Sequence, residues 1–225
     1  MKKYYTSPLL LTFLLLVAVV VFPATAFAQD STVEKEGGYW IAATAKKKIS
    51  KDFRASLTPE VRSTGWEPTE GLLTLDVRYK PIDYFAVEVG YRASFEDDSG
   101  DLQRIGRINL DLEGSLPLGD FEPGVRFRYT NSFGPLIASE QTLRYRGDLE
   151  YEIKKIDVSF DGLVEAFQKL EPAEFSKIRY GLGVTWEFYK TKKVDQSIRL
   201  GYHLDYFLTK YKNVNIAEFS YGVDF

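Results

Sequence analysis

Beyond the N-terminal segment, apolar and polar residues alternate one by one along most of the chain. In one stretch, Leu75, Val77 and Tyr79 alternate with Asp76 and Arg78. Because successive side chains of a β-strand point to opposite faces, this pattern predicts strands with one apolar and one polar face. Eleven segments show it, at residues 39–47, 52–62, 72–80, 85–95, 107–116, 121–130, 143–153, 156–168, 178–188, 198–208 and 217–225.

The length of these segments favours a barrel that crosses a membrane. They match or exceed the roughly 9 to 11 residues of a tilted membrane strand, whereas strands of soluble sandwiches typically have about 5 to 6. Aromatic residues also gather near both strand ends, as they do at two membrane interfaces. One group is Phe53, Tyr79, Phe85, Phe121, Tyr151, Trp186 and Phe225, and the other is Phe95, Tyr129, Tyr145, Tyr180 and Tyr206. The prediction is an all-β, transmembrane, antiparallel up-and-down barrel, with a soluble sandwich as the alternative.

The number of strands is harder to predict from this pattern than the fold. Bacterial single-chain barrels have an even number of strands, so a short strand at residues 31–36, turned by Gly37 and Gly38, would bring the count to twelve. Ten is the fallback if the first segments do not join the wall. Short connections are expected at the end that holds the C-terminus, and mostly longer ones at the other. In segment 156–168, Leu163 and Phe167 interrupt the alternation by falling on the polar face.

The N-terminus has the features of a secretory signal peptide. Lys2 and Lys3 precede an apolar run at residues 9–22, and the small-residue site Ala26-Phe27-Ala28 follows. The apolar run is shorter than the roughly 20 residues of a membrane-spanning helix, which argues against the alternative of an uncleaved anchor. We therefore expect a cleaved signal peptide at residues 1–28, a barrel at residues 29–225 and an outer-membrane location.

Composition excludes several classes of protein. The net charge is −3, and removal of the first 28 residues makes it more negative, so a nucleic-acid partner is not expected. The chain has no cysteine and one histidine, His203, and it has no glycine-rich phosphate loop or calcium loop. No metal or cofactor is expected, and a monomer is the default.

The C-terminal segment carries the most specific short motif. Phe219, Tyr221, Val223 and a terminal Phe225 alternate with polar or small residues, and this pattern resembles the assembly signal of Gram-negative outer-membrane proteins. The resemblance implies that the outer-membrane barrel assembly machinery is a partner. The last strand would pair with a foreign edge before the barrel closes.

Most of the chain also resembles a known family of proteins. The opening Tyr39-Trp40 and the segments 126–129 and 144–146 resemble a bacterial outer-membrane family known only as a domain of unknown function. The chain is more distantly similar to small monomeric porins with an arginine-lined interior. The first likeness implies a fold and little biochemistry, and the second remains an analogy.

The polar face of the predicted strands carries both signs of charge. Its arginines are Arg54, Arg62, Arg78, Arg92, Arg107, Arg126, Arg128, Arg144, Arg146, Arg179 and Arg199, and its carboxylates include Glu60, Asp76, Glu88, Asp111, Glu113, Asp148, Glu150, Asp161, Glu165 and Glu187. Hairpins folded about the predicted turns would place Asp111 opposite Arg126, and Glu165 near Arg144 or Arg179. Much of this charge could pair across strands.

Two interpretations of the lumen follow. The same hairpins place Arg126 and Arg128 across from Arg146 and Arg144, and four guanidinium groups together repel one another unless an anion or carboxylates neutralise them. This patch is the candidate constriction of a porin-like channel for small solutes, with anions as the candidate class. The alternative is a structural barrel whose salt-bridged interior conducts nothing.

A membrane-embedded hydrolase is the rival class. His203 is predicted to face inward beside Asp205, and a base oriented by a carboxylate is the beginning of a hydrolase site. No nucleophile is identifiable near them, because Ser197 and Ser220 read as ordinary inward-facing polar residues. The prediction is therefore not an enzyme. A barrel that acts through its loops is a third option, for which Trp66 is the only conspicuous residue.

Overall fold

The chain folds as a closed barrel of β-strands. The computed structural model describes residues 34–65, 68–98, 101–134, 139–209 and 212–225; the predicted signal peptide lies outside these ranges. Within them are eleven strands: β1 (Glu34–Lys48), β2 (Phe53–Thr64), β3 (Pro68–Ile82), β4 (Phe85–Asp98), β5 (Asp101–Ser115), β6 (Phe121–Phe133), β7 (Glu140–Ile153), β8 (Val158–Lys169), β9 (Glu174–Lys190), β10 (Asp195–Phe207) and β11 (Lys212–Asp224). The predicted all-β barrel is confirmed.

The strands form a meander in which each pairs with its neighbours in sequence, always antiparallel. The closing pair differs, because β1 and β11 run parallel from Glu34↔Lys212 to Lys46↔Asp224. In an up-and-down meander with an odd number of strands, the first and last strands point the same way. Closure between them is therefore parallel, and it leaves no open sheet edge.

The strand number differs from the expected twelve because β1 is one continuous strand. Gly37 and Gly38 were expected to turn the chain, but they lie in the ladder, where Gly38 pairs with Ile216 on one side and Thr64 on the other. Neither glycine has the positive φ of a turn, and glycine is compatible with extended backbone although it stabilises a strand less than other residues do. Residues 31–33 of the expected extra strand lie outside the described ranges.

The outward face is apolar, and it is the exposed face of the molecule. Leu182 in the middle of β9 is 67% exposed, and Leu75, Val89 and Phe127 also point away from the lumen. Exposed apolar surface that runs around a whole protein marks contact with lipid or another protein. In the described part of the chain, no helix is long and apolar enough to cross a membrane.

Aromatic residues pack against each other at one end of this face. Phe53 stacks on Tyr79 with ring centroids 4.7 Å apart, and Phe121 and Tyr151 are separated by the same distance. Their strands lead into the turns on the side of the C-terminal Phe225, which we call the C-terminal mouth. The opposite opening, where β1 begins, is the N-terminal mouth.

The connections are short at both mouths. Residues 49–52, 83–84, 116–120, 154–157 and 191–194 join strands at the C-terminal mouth, and the bounds of successive strands at the N-terminal mouth are separated by two to six residues in sequence. The expected difference in loop length is wrong, because most strands extend into the segments that had been assigned to loops. Gly65 and Gly119 have positive φ angles of 82° and 76°, which only glycine adopts without strain.

Candidate functional site

The lumen centres on a buried carboxylate shared by two arginines. Glu165 on β8 accepts hydrogen bonds from Arg126 Nη2 at 2.8 Å and from Arg144 at 2.7 and 3.2 Å. The Glu165 side chain is only 3% exposed. In register, Glu165 lies opposite Arg179, so its predicted position near Arg144 or Arg179 is confirmed.

A second ion pair lies beside the first. Arg128 on β6 donates two hydrogen bonds to Asp111 on β5, one of them from Nε at 2.6 Å. The predicted pairing of Asp111 with Arg126 is wrong, since Glu113 occupies that place. The turn explains the shift: positive-φ Gly119 centres it one residue further along the chain than the hairpin had assumed.

The four arginines of the candidate constriction do come together. Arg126 lies opposite Arg146, and Arg128 opposite Arg144, as predicted. Each also has a carboxylate partner, because Arg146 Nε donates to Asp148 Oδ1 at 2.9 Å. Three carboxylates therefore face four guanidinium groups, and the repulsion expected for a bare quartet is largely neutralised.

Arginine, not carboxylate, forms the solvent-facing layer of these pairs. Arg144 is 18% exposed above Glu165 at 3%, and Arg128 is 13% exposed above Asp111 at 1%. In every described arginine–carboxylate pair of the lumen, the arginine is at least as exposed as its partner. The arginine side chain is longer, so its guanidinium reaches further toward the barrel axis. Within these pairs, the positive group is therefore the one that solutes reach first.

The histidine lies in the lumen wall, but its carboxylate partner is not the predicted one. His203 Nε2 lies 2.7 Å from Glu218 Oε2, and the ring is 5.2 Å from that of Trp40. Asp205 instead accepts hydrogen bonds from Lys177 at 2.8 Å and from Arg179 at 2.6 and 2.8 Å. The expected orientation of His203 by Asp205 is therefore wrong.

Two aromatic residues inside the lumen were not recognised as part of the site. Trp40 on β1 lies between Arg62 and Arg179, with the guanidinium carbons 4.6 and 4.5 Å from its ring centroid. Phe167 on β8 contacts Arg144 at 4.5 Å. The signal for Phe167 was its place on the polar face, which reads as an irregularity until the strand register is known.

Three carboxylates could hold a cation on geometry alone. One oxygen from each of Glu88, Asp111 and Glu113 lies within 4.8 Å of the others. Arg78 contacts Glu113 and lies 3.7 Å from Glu88, while Arg128 holds Asp111. Guanidinium groups thus compensate this cluster already.

A cavity of about 190 Å³ opens on the lumen near the C-terminal mouth. Its lining includes the cationic residues Arg78, Lys80, Arg126 and Arg146 and several carboxylates, among them that of Glu113. Two of the four arginines of the candidate constriction therefore border free space as well as their ion-pair partners.

Three solved structures align with a large part of this chain at low sequence identity. The NanC porin aligns with a TM-score of 0.45 and 16% identity over 74% of this chain and 85% of its own. An anion-selective porin from Comamonas acidovorans aligns with a TM-score of 0.37 and 10% identity over 78% of this chain and 55% of its own. OmpT, an outer-membrane protein of Vibrio cholerae folded in vitro, aligns with a TM-score of 0.39 and 12% identity over 72% of this chain and 53% of its own.

Family membership is clearer than these distant likenesses. No curated protein matches the chain. The family described as a protein of unknown function (DUF2490) matches residues 37–213, a range that begins in β1 and ends in β11. The chain belongs to the DUF2490 family.

Proposed function

We propose that this barrel is a narrow passive channel of the outer membrane that prefers small anionic solutes. The location is supported by the apolar outward face and by strands of 12 to 17 residues, long enough to cross a bilayer when tilted. The predicted signal peptide at residues 1–28 and the Phe225 motif support export and delivery to the barrel assembly machinery. The wall needs no second subunit to close, which supports a monomer.

The preference for anions rests on the layering of the ion pairs. Arg144 covers Glu165 and Arg128 covers Asp111, two carboxylates that water barely reaches. Arg107 adds to this layer, because its Nε donates to the hydroxyl of Ser132 at 3.0 Å and it forms no ion pair with the described carboxylates. Charged groups that line a narrow pore select ions of opposite sign.

Recording from the purified barrel in planar lipid bilayers tests this proposal. Under a potassium chloride gradient, the sign of the reversal potential should show a preference for chloride. Arg144→Ala should weaken that preference, whereas Arg104→Ala should leave it unchanged, because Arg104 lies on an outward-facing position of β5. A preference for potassium, or one that Arg144→Ala does not alter, would contradict the proposal.

A structural barrel that conducts nothing is the second candidate, favoured by a specific observation. Leu72, Ile105, Leu163 and Ile216 are buried and belong to the inward-facing set. Apolar side chains among paired charges narrow the path for ions. The same recordings separate the two functions, because a folded barrel that inserts without any conductance supports the structural role.

A further inference from the structure

Two aromatic rings of the lumen, those of Trp40 and Phe167, pack on the faces of three arginines. Trp40 contacts Arg62 and Arg179, and Phe167 contacts Arg144 at 4.5 Å and Arg179 at 5.3 Å. We call these five residues the aromatic belt. Arg179 touches both rings, so the belt is one connected set of contacts.

Stacking on a ring leaves the edge of a guanidinium free for hydrogen bonds. Each belt arginine uses its edge on a carboxylate as well. Arg62 Nε donates to Glu60 at 2.5 Å, Arg179 to Asp205, and Arg144 to Glu165. A ring on the face and a carboxylate at the edge together fix both the position and the tilt of each cation.

The belt follows the wall over a large part of the circumference. Its members lie on β7, β8, β9, β1 and β2, and the strands between β9 and β1 are β10 and β11. His203 of β10 fills part of that gap, with its ring 5.2 Å from that of Trp40. Lys177 adds a further cation, with Nζ 4.2 Å from the centroid of Phe167.

We propose that Trp40 and Phe167 are positioning residues, which hold Arg62, Arg144 and Arg179 as a fixed, anion-selecting belt in the lumen. This inference rests on the proposed channel function and deepens it. The belt gives the selective region more residues than the four arginines identified from the sequence, of which it contains only Arg144. The aromatic residues contact the cations, not the solute.

Bilayer recordings of Trp40→Leu and Phe167→Leu test the belt. Each substitution frees two belt guanidinium groups without changing any charge, and the loss of these cation–π contacts should lower the chloride-to-potassium permeability ratio about two- to fivefold. Trp186→Leu is the matched control, because Trp186 lies on the exposed outward face. A wild-type barrel without current, or with a preference for potassium, overturns the channel and the belt with it. A chloride-selective wild type whose selectivity survives both substitutions overturns the belt alone.

A fluorescence measurement tests the belt with Trp40 in place. The chain has three tryptophans, so Trp66→Phe combined with Trp186→Phe leaves Trp40 as the only one. If fixed cations surround Trp40, iodide should quench its emission several-fold more than caesium, each relative to free N-acetyltryptophanamide. Equal quenching by the two ions, or stronger quenching by caesium, overturns the belt even where a substitution of Trp40 prevents folding.

Discussion

Neutralising Glu165 should destabilise the barrel strongly. In Glu165→Gln, Arg126 and Arg144 lose the charge that compensates both of them, while the shape of the side chain is kept. Breaking a buried ion pair by removing one partner costs about 3–5 kcal/mol. The two arginines are 16% and 18% exposed and keep some contact with water, so we expect a loss of about 3 kcal/mol, at the lower end of that range.

Equilibrium unfolding of the refolded barrel in detergent, followed by tryptophan fluorescence in increasing guanidinium chloride, measures this loss as a lower transition midpoint. Glu187→Gln provides the matched control. Glu187 pairs with Lys190 at the C-terminal mouth, where the two side chains are 45% and 54% exposed. Exposed pairs contribute about 0–1 kcal/mol, so the control should barely shift the transition.

Glu165→Gln should also change the ion selectivity of the channel, an effect that a loss of stability alone does not explain. Removing the negative charge beneath two arginines should strengthen the preference for chloride, the opposite of the change expected for Arg144→Ala. If Glu165→Gln unfolds like Glu187→Gln, with a loss below about 1 kcal/mol, Glu165 does not compensate the arginines as argued. The account of the lumen as carboxylates covered by arginines would then be wrong.

Three further predictions concern lipid contact, packing and assembly. Leu182→Arg, at the middle of the outward face, should cost about 2–4 kcal/mol, whereas Phe188→Arg near the strand end should cost about 0–1; equal costs in unfolding experiments would contradict lipid contact. Gly181→Ala places a methyl group 2.6 Å from Nδ1 of His203 and should lower stability by about 1–3 kcal/mol in the same assay. Deletion of Phe225 removes two backbone hydrogen bonds to β1 and should reduce the folded, heat-modifiable barrel in outer-membrane fractions; unchanged amounts would argue against its role in assembly.

Alternation along the chain was sufficient to predict the faces of the strands. Arg126, Arg128, Arg144 and Arg146 were placed inward and opposite one another from the pattern alone, and the structure has this register. The predicted register of the β5–β6 hairpin was wrong because the register depends on the backbone of Gly119, whose positive φ centres the turn. A pattern of period two predicts which face a residue occupies, but a shift of two residues keeps the face and changes the partner.

Contacts between residues that do not lie directly opposite each other in the ladder could not be predicted in this way. The hydrogen-bond partner of His203 is Glu218, although the residue directly across the ladder is Ile216. Glu165 likewise accepts from Arg126, two strands away. Such contacts depend on the tilt of the strands and on how far a long side chain reaches along the wall, and neither is present in the alternation.

The aromatic belt shows most clearly what closure adds. Trp40 lies on β1, and its two guanidinium partners lie on opposite sides of the β1–β11 seam: Arg62 on β2, and Arg179 on β9, which is reached through β11 and β10. In an open sheet, β1 and β9 would be separated by nearly the full width of the wall. The contact between Trp40 and Arg179 therefore forms only when β11 pairs with β1. The terminal strand thus completes both the hydrogen-bonded wall and the charged belt inside it, which ties the assembly of the barrel to its proposed selectivity.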